Sequence, residues 1–350
     1  MAVASSLSLS RAEWFLKEIR APQSSKAYGS YLELVKDPSI DIVYVATPHS
    51  HHFQNTMMAL EAGKHVLCEK PFTVNAAQAK KSVETAKKKN LFLMEAVWTR
   101  YFPISSRIRE MVTTGTIGHV HRVIADLSLA KAKDDSSLAF ADSHRMVNCA
   151  LAGGALLDLG IYPLTWVFQI LYYCQPAPRE SPRVLAAINK YDRTGVDEMA
   201  SMILQFPAQK SMGIALTTLR VATDPEGQTT VPSVRIQGTK GEIQVMGPAY
   251  KPKSYRLIII EDGGKVEEVE FPIPTDPDRD GDGQGMYWEA DEVARCVRDG
   301  KLESTILNWD ETVLIMETMD EVRRQGELTY SEPIESSFYD EQSPLNVGKR

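Results

Sequence analysis

Short apolar runs alternate with longer amphipathic stretches through the first part of the chain, and this alternation predicts parallel strands joined by helices. Ile42-Val43-Tyr44-Val45-Ala46 reads as a strand buried on both faces. Ser50 reads as the cap of a helix that closes near Gly63, and His65-Val66-Leu67-Cys68 as the next buried strand. Such a βαβ unit is right-handed and brings both strand ends to one edge of the sheet, where open α/β folds bind ligands. Thr47-Pro48-His49 and Glu69-Lys70-Pro71 follow these strands, so both are expected at one crevice. Asn75 then caps a helix to about Asn90, residues 91–94 give another buried strand, and a helix over 104–113 ends before Gly115.

From Gly118 the period shortens to two. Strands are expected over 120–128, 184–191, 199–206, 211–219, 234–237, 243–245, 255–260 and 266–271, separated by turns such as Gly238-Thr239-Lys240-Gly241 and Asp262-Gly263-Gly264. Strands without intervening helices imply a mostly antiparallel sheet. Helices follow near 286–299 and 311–325. The fold class is therefore α/β plus α+β, a Rossmann-type parallel sheet followed by a mostly antiparallel sheet with helices. Two domains are expected, 1–99 and 100–335, with 336–350 a frayed tail.

Composition narrows the function class. A chain of 350 residues with 43% hydrophobic and 24% charged residues supports two well-filled cores. The net charge of -7 argues against nucleic acid as a partner, because phosphate binding needs a basic surface. Lys80-Lys81 and Lys87-Lys88-Lys89 lie on one expected helix and read as a solvated face. The four cysteines are scattered without Cys-x-x-Cys spacing, a pattern of reduced intracellular thiols. No secretory signal opens the chain, and the longest apolar run noted, 164–173, is too short to span a bilayer and contains Gln169. A cytoplasmic protein without a membrane partner is expected.

Lys70 is the first candidate for chemistry. A lysine held between apolar strands loses hydration, which disfavours its ammonium form and suits it to proton exchange. The second candidate is Asp158-Leu159-Gly160-Ile161-Tyr162: if the segment stays helical, Asp158 and Tyr162 project from one face, although Gly160 and Pro163 could break it. Two other patterns carry less. Asp276-Pro277-Asp278-Arg279-Asp280-Gly281 imitates the start of an EF-hand loop, yet the twelfth position is Tyr287 and not a bidentate glutamate. His51-His52 lacks metal-ligand partners at useful spacing, so capping or surface placement is expected and no metal site is assigned.

Residues 41–72 with Thr47-Pro48 and Glu69-Lys70-Pro71, residues 151–163 (LAGGALLDLGIYP) and the tail over 286–330 together resemble the Gfo/Idh/MocA oxidoreductases. Within that family they are most similar to the dimeric dihydrodiol dehydrogenases and NADP-dependent D-xylose dehydrogenases. The resemblance implies an NAD(P)-dependent oxidation of a cyclic polyol, either an aldopyranose such as D-xylose at C1 or a trans-dihydrodiol. It makes Lys70 and Tyr162 the acid/base pair and has Asp158 orient substrate. Ser5, Ser6, Thr47, Pro48, His49, Glu69, Lys70, Trp98 and Arg100 would contact NADP or NAD, and Phe102 and Arg145 the substrate. It also makes 1–99 the nucleotide-binding domain and 100–335 the substrate-binding and dimerisation domain of a homodimer.

The chain departs from the family at one point. No Gly-x-Gly-x-x-Gly loop for the dinucleotide pyrophosphate occurs in it, and residues 2–6 resemble the family's second strand. Where NADP-preferring relatives place an arginine after that strand this chain has Leu7, with Arg11 the nearest cation. Three explanations are open: an upstream segment, a relative that has lost its cofactor, or a first strand replaced by another segment. The cost of unpaired strand edges favours the first. A redox-inactive family member that has lost cofactor binding, acting as a binding protein or in cofactor-free proton-transfer or cyclisation chemistry, is the alternative function.

Overall fold

The computed structural model describes residues 1–5, 8–227, 230–261, 263–277 and 283–347. The chain divides into two compact units: 1–96, 293–313 and 331–350 form the first, and 97–292 and 314–330 the second.

In the first unit, β3 (Ile42–Val45), β4 (His65–Glu69) and β5 (Leu93–Ala96) make a parallel sheet in that order. Separately, β1 (Ala2–Ala4) and β2 (Lys26–Tyr28) form a parallel pair. The crossovers are α1 (Leu9–Glu18), α2 (Tyr31–Lys36), α3 (His52–Glu61) and α4 (Ala76–Lys89). Asn75 caps α4 as expected, its side chain accepting the Gln78 N–H at 3.0 Å, and Asn90 ends the helix in the left-handed region at φ 57°.

Two local expectations are corrected. Ser50 caps nothing: residues 49–51 are a 3-10 turn leading into α3, and the Ser50 hydroxyl bonds His51 Nδ1 at 2.9 Å. Strand β3 is not buried on both faces, since Ile42 and Tyr44 are exposed and only Val45 is buried. The reason is its position at the sheet edge. Among the described residues β3 pairs only with β4, and β1 only with β2. The tail expected to fray packs instead: Gln54 Nε2 donates to Phe338 O at 2.8 Å, Gln78 Nε2 to Ser336 O at 3.0 Å, and Asn55 Nδ2 to Leu345 O at 3.1 Å.

In the second unit, α5 (Pro103–Thr113) precedes β6 (Val120–Asp126), and α6 (Ile161–Leu171) precedes β7 (Arg183–Lys190), β8 (Asp197–Phe206) and β9 (Ser211–Thr218). Then come β10 (Pro232–Gly238), β11 (Gly241–Met246), β12 (Ser254–Ile259) and β13 (Lys265–Glu270). Among the described residues these strands form one sheet in the order β13-β12-β11-β10-β6-β9-β8-β7, antiparallel except for β6 with β9. Apolar side chains alternate inward, as in β8, where Ala200, Met202, Leu204 and Phe206 are fully buried. Helix α6 packs on β6 and β9 and is buried on all sides, which is why its sequence shows no polar stripe. The helical run Cys149–Leu171 is long and apolar enough to cross a membrane, contrary to expectation, but 94% of its apolar window is buried inside the protein. Residues of α7 (Tyr287–Arg298) and α8 (Trp309–Gln325) fall in both units, and α9 (Glu332–Glu335) and α10 (Pro344–Val347) belong to the first.

Candidate active site

The candidate residues lie in both units, and each group is built by its own unit. In the first, register fixes the corner. Val45 on β3 pairs with Cys68 on β4, so Thr47 and Lys70 each fall two residues beyond a matched pair, at the same sheet edge. Glu69 accepts the Tyr44 hydroxyl through Oε1 and the Lys70 N–H through Oε2 at 3.1 Å, which holds the turn against β3. The Lys70-Pro71 peptide is cis. From β5, Glu95 Oε1 accepts the Phe72 N–H at 3.0 Å.

His52 joins the two turns. Its Nδ1 lies 2.8 Å from Pro71 O and its Nε2 2.8 Å from Thr47 O. Burial, with His49 nearby, pushes its pKa down to about 3. The neutral ring has one N–H, so it donates to one of these carbonyls at a time. His51 and His52 are both buried, which corrects the expected surface placement; His51 stands at the N-cap position of α3 but makes no side-chain cap bond. Thr47 Oγ1 is buried without a hydrogen-bond partner, a polar atom aimed at no described protein group.

In the second unit, an unexpected element positions the other candidates. Residues Leu156–Gly160 form a π-helical turn that runs without a break into α6, so neither Gly160 nor Pro163 ends the helix. Pro163 lies directly after the π-helical turn, where the irregular pairing can absorb its missing N–H within a continuous helix. Asp158 and Tyr162 thus stand on one continuous helix, both buried. Arg145 Nη1 reaches Asp158 Oδ1 at 2.8 Å, with the Arg145 side chain 58% exposed and Asp158 6%. Trp98 donates its indole N–H to the Tyr162 oxygen at 2.8 Å. The Trp98 ring stacks on Tyr250 at 5.8 Å and meets Phe102 edge-on at 5.7 Å, and Phe102 in turn meets Trp288 at 4.7 Å.

Two of these aromatic residues, Tyr250 and Trp288, gave no signal in the sequence. Tyr250 lies in an irregular turn, and its placement depends on distant partners: Thr99 Oγ1 donates to Tyr250 O at 2.5 Å, and Trp166 Nε1 to Ala249 O at 2.8 Å. Other expected contacts fall elsewhere. Arg100 is fully buried with its guanidinium 5.0 Å from the Tyr173 ring centre, and its carbonyl accepts from Arg109 at 2.9 Å. These contacts pack Arg100 against neighbouring elements of the second unit. Ser5 continues the β1–β2 ladder, its N–H reaching Tyr28 O at 3.3 Å, while Ser6 and Leu7 lie outside the described residues. The Arg11 guanidinium lies over Trp14 at 4.4 Å. Asp278, Arg279, Asp280 and Gly281 of the EF-hand-like run also lie outside the described residues.

The first unit carries a lysine at the edge of its parallel sheet, and the second carries a tyrosine and a carboxylate on a buried helix. Residues 2–97 match the family described as "Oxidoreductase family, NAD-binding Rossmann fold", and residues 105–244 match the GFO/IDH/MocA C-terminal domain. The chain belongs to the Gfo/Idh/MocA oxidoreductase family. It is 61% identical to D-xylose 1-dehydrogenase (NADP(+)) of Hypocrea jecorina over all of this chain and 89% of that protein. It is 36% identical to trans-1,2-dihydrobenzene-1,2-diol dehydrogenase of Homo sapiens over 92% of this chain and 87% of that protein. Among solved structures it shares its fold with a levoglucosan dehydrogenase in complex with NADH and levoglucosan, at TM-score 0.76 and 18% identity, over 94% of this chain and 89% of the other.

The residues present suit one end of such a cofactor. The unpartnered Thr47 hydroxyl and the built turns at His49 and Glu69-Lys70 offer donors and acceptors to a nicotinamide and its ribose. A glycine cradle for the pyrophosphate is not found among the described residues.

Proposed function

We propose that this chain oxidises a cyclic polyol with NADP or NAD as partner, acting on an aldopyranose such as D-xylose at C1 or on a trans-dihydrodiol. The carrying observation is the 61% identity with an NADP-dependent D-xylose 1-dehydrogenase over the whole chain, which also favours NADP over NAD. The cofactor, when bound, accepts the hydride. The chain's own residues handle the proton and the substrate. The Tyr162 oxygen takes the Trp98 N–H, which orients the phenol, and its hydroxyl is assigned to exchange a proton with a substrate hydroxyl. Lys70 is its acid/base partner. Asp158 and Arg145, already joined, offer an acceptor and a fan of donors to neighbouring hydroxyls. Thr47, Pro48, His49, Glu69 and Trp98 are assigned to the nicotinamide side, and Phe102 to the substrate wall.

The exposed apolar residues Leu185, Ile203 and Met212 on β7, β8 and β9 support a homodimer formed through the outer face of the large sheet. Four free cysteines support a cytoplasmic protein. The second reading is a family member that binds polyols without hydride transfer. Titration of the purified chain with NADP and NAD, followed by tryptophan fluorescence, separates the two. Saturable binding at micromolar nucleotide supports the dehydrogenase, and a folded chain that binds neither supports the second reading.

A further inference from the structure

The helix that carries Asp158 and Tyr162 starts at Ala155, and the residue at its N-cap position is Gly154, which has no side chain to satisfy the first N–H groups. The acceptor comes from another element. Asp197, the first residue of β8, is 0% exposed, and its Oδ2 takes the Leu156 N–H at 2.5 Å. The carboxylate is pressed so closely onto the turn that a Cβ on Gly154 would lie 2.0 Å from Oδ1. Gly154 has φ +130°, and a Cβ on Gly153 would lie 2.7 Å from Arg145 O. The glycine pair is thus clamped between the carboxylate and the segment that bears Arg145. On the Gly153 carbonyl, Tyr330 Oη donates at 2.8 Å.

We propose that Asp197 is a positioning residue for the reaction: by capping the site helix from β8 it sets the axial position of Asp158 and Tyr162 and, through the glycine pair, their spacing from Arg145. A buried carboxylate at a helix N-terminus is held by the helix dipole and by the amides it accepts. Here it replaces the local capping side chain that the close approach excludes. Its Oδ1 has no hydrogen-bond partner, so the carboxylate is not there to complete a saturated network. Burial pushes the carboxyl up to about 6, while the amides of Leu156, Asp197 itself and Ala155, and the charge of Arg323 on α8, pull it down. The other charged groups on the packed elements are paired: Asp158 with Arg145 and Glu198 with Arg220. Protonation of Asp197 therefore favours a local opening in which the helix start leaves a carboxyl that stays buried, whereas the same proton disfavours global unfolding, which puts the carboxyl in water.

The catalytic part of this proposal rests on the dehydrogenase reading, and the test keeps the two apart. The first readout needs no substrate: hydrogen exchange of amides 155–162 in the unmutated chain, corrected for intrinsic rate, across pH about 5 to 8. Protection should fall at these amides as pH drops through about 6 while β8 and β9 stay protected, and a flat profile overturns the proposal. The second is Asp197→Asn, which keeps the shape and removes the charge. We expect exchange of 155–162 to rise about tenfold or more at neutral pH, kcat on D-xylose to drop by a similar factor with KM changed by less than about threefold, and the acidic limb of the pH profile to disappear. Unchanged exchange in a folded variant overturns the proposal, as does exchange that rises equally throughout the unit. If the unmutated chain oxidises no polyol, the dehydrogenase reading fails while the exchange experiment still decides whether Asp197 caps the helix.

Discussion

Trp98 donates its indole N–H to the hydroxyl oxygen of Tyr162 at 2.8 Å, and this contact fixes where the phenol can direct its own proton. If Tyr162 moves the substrate proton, Tyr162→Phe should lower kcat about a hundredfold or more with the fold intact, in the range of general acid/base effects. Trp98→Phe keeps an aromatic ring against Tyr250 but deletes the donor, and it should cost about tenfold in kcat. Steady-state kinetics of the two variants, with circular dichroism to confirm folding, check both. Equal activity of Tyr162→Phe and the unmutated chain removes Tyr162 from the reaction.

The Arg145–Asp158 pair has one partner largely in solvent, so its loss should scarcely touch stability: Arg145→Ala is expected to cost under about 1 kcal/mol. Its effect belongs in substrate affinity. We expect KM for the polyol to rise about tenfold while thermal unfolding barely shifts. A large drop in melting temperature with unchanged KM would instead make Arg145 a structural residue.

Asp197 has a stability consequence with a definite sign. Its folded-state pKa, about 6, lies above the ordinary 3.8, so folding favours the protonated form. The contribution is fully present below about pH 4 and is lost as pH rises through about 6, amounting to about 3 kcal/mol from the size of the shift. Asp197→Asn carries no such titration. Its stability relative to the unmutated chain should therefore improve as pH rises through that window, measured by urea unfolding at several pH values. A difference that is constant with pH contradicts the assigned burial. Retaining a buried charge that weakens the fold at neutral pH accords with a role in the site.

Asn75 makes two bonds that matter to the first unit. It caps α4, and its Nδ2 donates to Glu335 O at 2.8 Å. Asn75→Ala should cost about 1–2 kcal/mol, the usual range for a lost cap together with a hydrogen bond. Limited proteolysis near residue 335 should also become faster. Unchanged unfolding and cleavage would show that neither bond contributes.

Much of this was legible in the chain because local rules agreed with the fold. The period-two stretches gave all eight strands of the large sheet within a few residues, and Asn75 announced its helix. The turns at Thr47 and Lys70 met at one sheet edge because parallel pairing leaves no other outcome. The expectation for Ile42 and Tyr44 failed because an apolar run does not state how many neighbours its strand has. Ser50 failed as a cap because a 3-10 turn starts one residue before it. The π-helical turn at Leu156–Gly160, the Tyr250 stack and the Asp197 cap were illegible for a shared reason. Each depends on contacts between residues far apart in sequence, and the only local trace of the cap was an adjacent glycine pair.

The most direct test of the central claim is the rate at which the purified chain reduces NADP when given D-xylose, measured beside Lys70→Ala and Tyr162→Phe. Turnover by the unmutated chain, lost by about a hundredfold or more in either variant that still binds nucleotide, is the predicted result. A folded chain that binds NADP but reduces none with D-xylose or a trans-dihydrodiol, or variants that turn over at the unmutated rate, would contradict it.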